Sequence, residues 1–174
     1  MKVGYGMLLN VRRIPFILVC LIFLLTVGCT SFDSSNEIKV TAEMNEMISE
    51  YIIQHYEGVY PETDKKFEVH KVYGAKEMGG ETSVYLYSLF LGFNKKTKAE
   101  GQSGHSVPAV IKLKSSDDKY VVSYYKEPSD GADFKRSLYK IFPRKYAGKA
   151  LEDTKNSAGL HKEMKRKAEM WLRK

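Results

Sequence analysis

The run from Val84 to Leu91 constrains the fold more than any other feature of this chain, because both of its alternating faces are apolar. A strand places successive side chains on opposite faces, so a strand with one buried face alternates apolar and polar residues. The run Val-Tyr-Leu-Tyr-Ser-Leu-Phe-Leu lacks that alternation. We therefore expect residues 82–93 to form a central strand that other elements cover on both sides.

Three further segments rich in Tyr, Val, Phe and Ile lie around this run, at 66–76, 104–114 and 119–127. Turn residues separate them, which is typical of strands joined by hairpins. Within 104–114, the apolar residues Val107, Ala109, Ile111 and Leu113 share one face. Pro108 among them predicts an edge or a bulge, because proline cannot donate to the strand ladder. Together the four segments predict an antiparallel meander.

Helical periodicity appears before and after these strands. From Val40 to His55, apolar residues recur every three or four positions, with glutamates on the opposite face. The same spacing predicts two later helices, with apolar stripes formed by Phe134, Leu138 and Ile141 or Phe142, and by Leu160, Met164, Ala168 and Trp171 or Leu172. The predicted fold is α+β: an N-terminal helix, a four-stranded antiparallel meander, a short helix and a C-terminal basic amphipathic helix.

The start of the chain has the pattern of a secretory signal peptide. Basic residues Lys2, Arg12 and Arg13 precede a charge-free apolar run that extends from Ile14 to Val27. This run has about 14 residues, whereas a helix that spans a membrane needs roughly 20. Removal of the run by processing is therefore favoured over permanent membrane spanning.

The residues after this run resemble the lipobox of bacterial lipoproteins, since Leu-Thr-Val-Gly-Cys places small Gly28 directly before Cys29. Thr26 departs from the pattern, because leucine is commonest at its position. The resemblance implies that the thiol of Cys29 receives a diacylglycerol and that cleavage falls between Gly28 and Cys29. The expected location is the extracytoplasmic side of the cell membrane, with the lipid bilayer as a partner through acylated Cys29.

These features divide the chain into a signal peptide at 1–28, a lipid-anchored tether at 29–37 and a single extracytoplasmic domain at 38–174. The only other cysteine, Cys20, lies in the signal peptide. The mature chain is therefore expected to lack both a disulfide and a catalytic thiol.

Charge is unevenly distributed along the mature chain. Residues 135–174 carry 13 basic and 4 acidic residues, whereas residues 29–134 carry 12 basic and 17 acidic residues. Five basic residues of the last helix are candidates for contact with anionic lipid or wall polymer: Lys162, Lys165, Arg166, Lys167 and Arg173. The alternative is a solvated face that complements the acidic first helix. Nucleic acid is not an expected partner outside the cell, despite the pI near 9.2.

The predicted strands are rich in tyrosine, and ordinary cross-strand packing explains most of these residues. Tyrosines that face outward would offer apolar area and a hydroxyl group to a protein of the membrane or envelope. Tyr85, Tyr87 and Tyr125 are the candidates for such a partner surface.

The four histidines, His55, His70, His105 and His161, have no metal-ligand spacing, so neither a metal nor a cofactor is expected. We place His55 on the apolar face of the first helix and the other three on the surface or at edges. Neither the nucleophile elbow nor the acylating Ser-x-x-Lys pattern is present with its required partners. A hydrolase site remains an alternative only if folding brings His70, His105 and nearby carboxylates together.

Three stretches, in this order, resemble an extracellular module of Gram-positive bacilli. They are His70 to Tyr87, Val107-Pro-Ala-Val-Ile, and Tyr124 to Gly131 followed by Ile141-Phe-Pro. The module is sometimes fused behind membrane metallopeptidases related to beta-lactam sensors, and sometimes occurs alone on small lipoproteins. The likeness covers about residues 66–150. It implies a role in sensing or in restraining a partner, and it brings no catalytic residues.

The sequence therefore predicts a membrane-anchored lipoprotein with a non-enzymatic binding or sensing module. The alternative is a cell-envelope hydrolase with a site near His70 and His105.

Overall fold

A computed structural model describes residues 36–117 and 119–174, which form an α+β domain around one antiparallel sheet. The predicted signal peptide and Cys29 lie outside the described residues. The strands are β1 (Asn36–Ile38), β2 (Lys65–Met78), β3 (Glu81–Phe93), β4 (Gly101–Ser116) and β5 (Lys119–Lys126). Their spatial order is the chain order, β1-β2-β3-β4-β5, so the sheet is a simple meander.

Four α-helices complete the described domain: α1 (Ala42–His55), α2 (Phe134–Ile141), α3 (Arg144–Asp153) and α4 (Ala158–Leu172). Two 3-10 turns occupy Lys95–Thr97 and Gly131–Asp133. Thr41 caps α1, because its Oγ1 accepts a hydrogen bond of 3.2 Å from the backbone N–H of Met44. A cap of this kind satisfies one of the amide groups that have no partner within the first helical turn.

The helices lie on the two opposite faces of the sheet, and we call these the α1 face and the C-terminal face. The core of the α1 face is Met44, Ile48, Ile52, Tyr56, Ala75, Val84, Leu86, Phe90, Ala109, Ile111 and Leu113. The core of the C-terminal face is Val69, Tyr73, Tyr87, Leu89, Phe93, Val110, Leu138, Phe142, Tyr146, Ala147, Ala150, Leu160, Met164 and Ala168. The described domain therefore has three layers.

The position of β3 confirms the prediction made from its pattern. It lies third of five strands, and alternate residues enter the two cores: Leu86 packs on the α1 face and Leu89 on the C-terminal face. Full burial of such a side chain contributes roughly 1.5–3 kcal/mol to folding, which explains why the run is apolar on both faces. Pairing of β4 with β5 stops at Val110, so the part of β4 that contains Pro108 is a local edge of the sheet. An edge tolerates proline, because proline has no N–H group to donate to a neighbouring strand.

The predicted set of elements is wrong in two respects: β1 precedes α1 and makes a fifth strand, and α3 is a fourth helix that the sequence did not predict. Three residues are too few to show an alternating pattern, and β1 pairs only with Ala75 to Glu77. Glu37 fixes it further, because its Oε1 accepts hydrogen bonds from Lys145 Nζ at 2.8 Å and from the Tyr146 hydroxyl at 2.5 Å. Asn36 and Glu37, the last two residues of the predicted tether at 29–37, lie in β1.

A tight contact on the C-terminal face explains a glycine in β2. A Cβ atom added at Gly74 would lie 2.2 Å from the hydroxyl oxygen of Tyr146, which is the group that binds Glu37. A bulge beside it makes Tyr73 the extra residue of β2, and the Tyr73 hydroxyl donates to Asp153 Oδ2 at 2.7 Å. Gly74 and Tyr73 thus attach α3 to the sheet.

Candidate functional site

The outer surface of α4 carries most of the basic residues that the sequence singled out. Lys162, Lys165, Arg166 and Arg173 are exposed. Lys167 differs, because it is half-buried and its Nζ donates a 2.9 Å hydrogen bond to the backbone oxygen of Glu68. This contact fastens α4 to a part of β2 that β1 does not cover, since β1 pairs no earlier than Ala75. Lys167 is thus a structural contact, and the other four cations point outward.

A groove of about 470 Å³ lies between the end of α4 and the start of β2, and we call it the Trp171 groove. Its lining residues are Lys65, Phe67, Arg166, Lys167, Met170, Trp171 and Lys174. Phe67 and Trp171 meet edge to face, with ring centroids 6.3 Å apart. Lys95 Nζ lies 5.8 Å from the centroid of the Trp171 ring, in cation–π range. The groove therefore combines an aromatic floor with a cationic rim.

The cations of this rim have little local compensation. Among the described residues, no carboxylate lies within 4.0 Å of Lys65, Arg166 or Lys174. Arg166 instead directs a guanidinium nitrogen to the sulfur of Met170 at 3.3 Å. Because no carboxylate of the described residues neutralises them, these groups give the surface a positive potential that attracts anions.

The acidic α1 does not supply this compensation, because the sheet separates it from α4. Glu43, Glu46 and Glu50 are exposed on α1, whose buried residues pack in the core of the α1 face. Leu160, Met164 and Ala168 of α4 pack in the core of the opposite face. The alternative in which the basic tail complements the acidic first helix is therefore wrong. The domain has one acidic helical face and one basic helical face.

A buried polar network lies beneath α1 and contains His70. Glu68, with 1% of its surface exposed, accepts hydrogen bonds from Ser88 Oγ at 2.6 Å and from Ser49 Oγ at 2.7 Å. His70 Nδ1 lies 3.0 Å from Glu68 Oε2, and His70 Nε2 lies 2.9 Å from Asn45 Oδ1. Both ring nitrogens thus face oxygen atoms of neighbouring side chains.

Two effects oppose each other at Glu68. Burial raises the pKa of this carboxyl group, and the hydrogen bonds and charge of His70, with the two serine hydroxyls, lower it by more. The net direction is downward, so the group is a carboxylate. Each oxygen of this carboxylate is already occupied by donors from the protein, and the serines donate to it and not to a histidine. The arrangement is a buried hydrogen-bond network that joins α1 to β2 and β3.

His105 belongs to a second cluster, which joins the end of α1 to the ends of β4 and β5. Its Nδ1 lies 3.0 Å from the Tyr60 hydroxyl, and its Nε2 lies 4.0 Å from Glu127 Oε1. Glu127 Oε1 accepts hydrogen bonds from the hydroxyls of Tyr56 and Tyr125. Burial raises the pKa of both tyrosines. Among the described residues, His105 Nε2 is a buried polar atom without a hydrogen-bond partner.

The pKa of the His105 imidazole is lowered, mainly by burial. The negative charge of Glu127 opposes this effect, and the neighbouring His55 adds to it. The ring also packs edge to face on Tyr56, with centroids 4.2 Å apart. An aromatic environment of this kind favours the neutral ring.

The two histidine clusters lie on the same face of the sheet but are separate. His70 pairs with Ser88 across β2 and β3, and His105 pairs with Phe90 across β3 and β4. Each histidine lies beside its own carboxylate, Glu68 or Glu127. Within residues 36–117 and 119–174, no group of three or more His, Cys, Asp or Glu side chains could hold a metal ion. The alternative prediction was a hydrolase site near His70 and His105; among the described residues, no hydrogen bond or ion pair joins these two histidines.

Two histidine placements from the sequence need correction. His70 was expected at the surface or an edge, yet 6% of its side chain is exposed, because Glu68 and Asn45 satisfy both nitrogens inside the fold. His55 was expected on a buried helix face, yet it is exposed at the rim of the aromatic cluster. It stacks on Tyr51 with centroids 5.8 Å apart.

The tyrosines expected at a partner surface lie mostly inside. Tyr87 is 3% exposed in the core of the C-terminal face, and its hydroxyl donates to Ser106 Oγ at 3.2 Å. Tyr85 packs between Phe142 and Tyr146, and Tyr125 is half-buried against α1. The outward assignment of Tyr87 is wrong, because helices cover both faces of β3. The exposed apolar residues of β5 are instead Val121 and Tyr124, at 45% and 43%.

Among the described residues, no helix has both the length and the apolar character needed to cross a membrane. The fold and the cationic groove define a three-layer α+β domain with a basic helical face. Comparison with protein-family models found no matching family, and searches of curated proteins and of solved structures found no similar protein or fold.

Proposed function

We propose that this protein is a membrane-anchored lipoprotein whose domain acts as a non-enzymatic binding module at the outer face of the cytoplasmic membrane. The lipid anchor is proposed on Cys29, from the signal-peptide pattern that precedes it. The first strand of the described domain begins at Asn36, seven residues later. Such a short connection holds the domain close to the bilayer surface.

The absence of an enzymatic role is proposed from the two histidine clusters. In one, Glu68 and His70 satisfy each other with the help of three polar side chains. In the other, a tyrosine hydroxyl occupies one nitrogen of His105, and the second nitrogen is buried beneath α1. A catalytic group must come within hydrogen-bond reach of its substrate, and these groups face the interior.

The observation that carries the proposed binding role is the separation of charge across the sheet. The basic helices lie together on one face, while the glutamates of α1 lie on the other. A cation near an anionic bilayer surface contributes about 1 kcal/mol to binding, so several on one face orient the domain. We propose that the C-terminal face meets an anionic component of the envelope, either lipid or an acidic surface of a protein.

Two measurements test this proposal. Feeding cells an alkyne-bearing fatty acid is expected to label the wild type and the Cys20→Ala variant but not Cys29→Ala. Photocrosslinking probes at Lys165 and at Glu50 of the full-length protein, in its own membranes, compare the two faces. We expect capture of envelope material at Lys165 and much less at Glu50. Equal capture at both positions, or turnover of an envelope substrate that one polar substitution abolishes, would contradict the proposal.

A further inference from the structure

The Trp171 groove is more specific than a general basic surface. It places an indole ring and a thioether next to four cations, and Met170 is 52% exposed at its edge. Exposed apolar side chains beside charged groups are unfavourable in bulk water. They suit the boundary between water and the apolar interior of a membrane. Tryptophan together with Lys and Arg is typical of protein surfaces at the level of lipid headgroups.

The rim matches the charge of a phosphate group. Arg166 offers a planar guanidinium that can bind phosphate oxygens in a bidentate manner, and Lys65 and Lys174 add ammonium groups. None of these three has a carboxylate within 4.0 Å among the described residues. A phosphodiester headgroup would therefore meet donors that no acidic group of residues 36–117 and 119–174 already occupies.

The fold also limits how the groove can reach the bilayer. Glu77, which pairs with Asn36, lies ten residues along β2 from Phe67 of the groove, a separation of about 33 Å at ~3.3 Å per residue. The seven residues from Cys29 to Asn36 reach at most about 25 Å in any conformation. The groove can therefore contact the bilayer when β2 lies along the membrane surface, whereas an upright β2 with its β1 end farthest from the bilayer is beyond the reach of these seven residues.

We propose that the Trp171 groove seats the phosphate headgroups of anionic phospholipids in the membrane that carries the anchor, with β2 lying along the bilayer. The proposal rests on the lipid-anchored binding module proposed above and names its partner. In this orientation the C-terminal face contacts lipid, and α1 faces away from the membrane. Trp171 and Met170 enter the headgroup region while Lys65, Arg166 and Lys174 contact phosphates.

The single tryptophan of the chain makes the test direct, because all indole emission comes from Trp171. The full-length acylated protein is purified from membranes and reconstituted into vesicles of phosphatidylcholine alone or of phosphatidylcholine with phosphatidylglycerol. We expect emission at shorter wavelength, and quenching by lipids brominated on the acyl chains, only when phosphatidylglycerol is present. Both effects should be lost near 1 M salt, where the screening length falls to about 3 Å.

The variant Arg166→Glu with Lys174→Glu is expected to show no shift in either vesicle. The matched control is Lys119→Glu with Lys126→Glu, which reverses two exposed lysines at the ends of β5 and should keep the wild-type shift. Emission that is the same in both vesicle types would overturn the proposal. A shift produced by added poly(glycerol phosphate) but not by phosphatidylglycerol would also overturn it, in favour of a wall polymer.

Flotation of the vesicles distinguishes failure of the lipid anchor from failure of the groove proposal. If the protein floats with both vesicle types while Trp171 emission is unchanged, the anchor stands and the lipid-binding groove fails. If the protein floats with neither, the acylation of Cys29 fails and the groove proposal fails with it.

Discussion

The two faces of the sheet use their polar residues in opposite ways. Beneath α1, charged groups such as Glu68 and His70 are paired and buried, and they hold elements together. On the C-terminal face, Arg166 lies at the surface with no carboxylate within 4.0 Å among the described residues. The two histidine clusters thus lie in networks beneath α1 on one face, whereas the exposed cations of α4 lie on the other face.

The largest expected effect concerns the buried contact between Glu68 and His70 on the α1 face. Glu68→Gln removes the negative charge beside His70 and weakens the hydrogen bonds from Ser49 and Ser88. Leaving a buried polar group without its partner costs about 1–3 kcal/mol, and three groups, Ser49, Ser88 and His70, face the altered side chain. Urea unfolding of the full chain, followed by Trp171 fluorescence, should show this loss. The control Glu46→Gln on the exposed side of α1 should change stability by less than about 0.5 kcal/mol.

An intermediate effect is expected on the C-terminal face. Gly74→Ala forces the Tyr146 ring away from β2 and disturbs its hydrogen bond to Glu37. Overpacking of this kind costs about 1–3 kcal/mol. In α3, a Cβ added at Gly148 would meet no atom within 4 Å, so Gly148→Ala should stabilise by up to about 1 kcal/mol. Equal effects of the two substitutions on the unfolding midpoint would contradict the tight contact.

A smaller, pH-dependent effect is expected from His105, the incompletely bonded group of the α1 face. Its pKa is lowered in the folded state by burial, so the unfolded chain binds a proton first as the pH falls. The stability that His105 contributes is complete above the unfolded value of about 6.5 and is lost as the pH falls through the folded value. Groups facing this ring are Glu127, His55 and three tyrosines: Tyr56, Tyr60 and Tyr125.

The corresponding measurement compares urea midpoints at about pH 7.5 and about pH 5, the range in which histidine titrates. The wild type should lose more stability on acidification than His105→Phe, which has no group to protonate. The variant His161→Gln, changed at an exposed position of α4, should behave like the wild type. A wild-type loss no greater than that of His105→Phe would show that His105 is not the titrating group.

Much of the fold follows from local patterns, whereas the contacts within it do not. The apolar run of β3 predicts its central place because both of its faces must be covered. Three-residue β1 gives no periodic signal, and its position depends on distant Lys145 and Tyr146. Alternation likewise cannot tell a tyrosine under a helix from one facing solvent, which is why Tyr87 was misplaced. The pairing of Glu68 with His70, only two residues apart, could have been suspected from their shared strand face.

The basic face of α4 could be predicted as a charged stripe, but not as a groove. Charge counts along the chain identified an excess after residue 134. Only the fold shows that Lys65 and Phe67 of β2 lie beside Trp171, and that the sheet keeps α1 away. The candidate site depends on contacts between β2 and α4, which are far apart in the sequence and which composition does not predict.

The most direct test of the account is the orientation of the anchored domain. Lys165→Cys and Glu46→Cys variants of the full-length acylated protein are spin-labelled in vesicles that contain phosphatidylglycerol. Relaxation by membrane-dissolved oxygen and by a water-soluble nickel chelate then reports the depth of each label. The account predicts that the label at position 165 lies closer to lipid than the label at position 46. Equal exposure of both labels to the nickel chelate, or a deeper label at position 46, would contradict it.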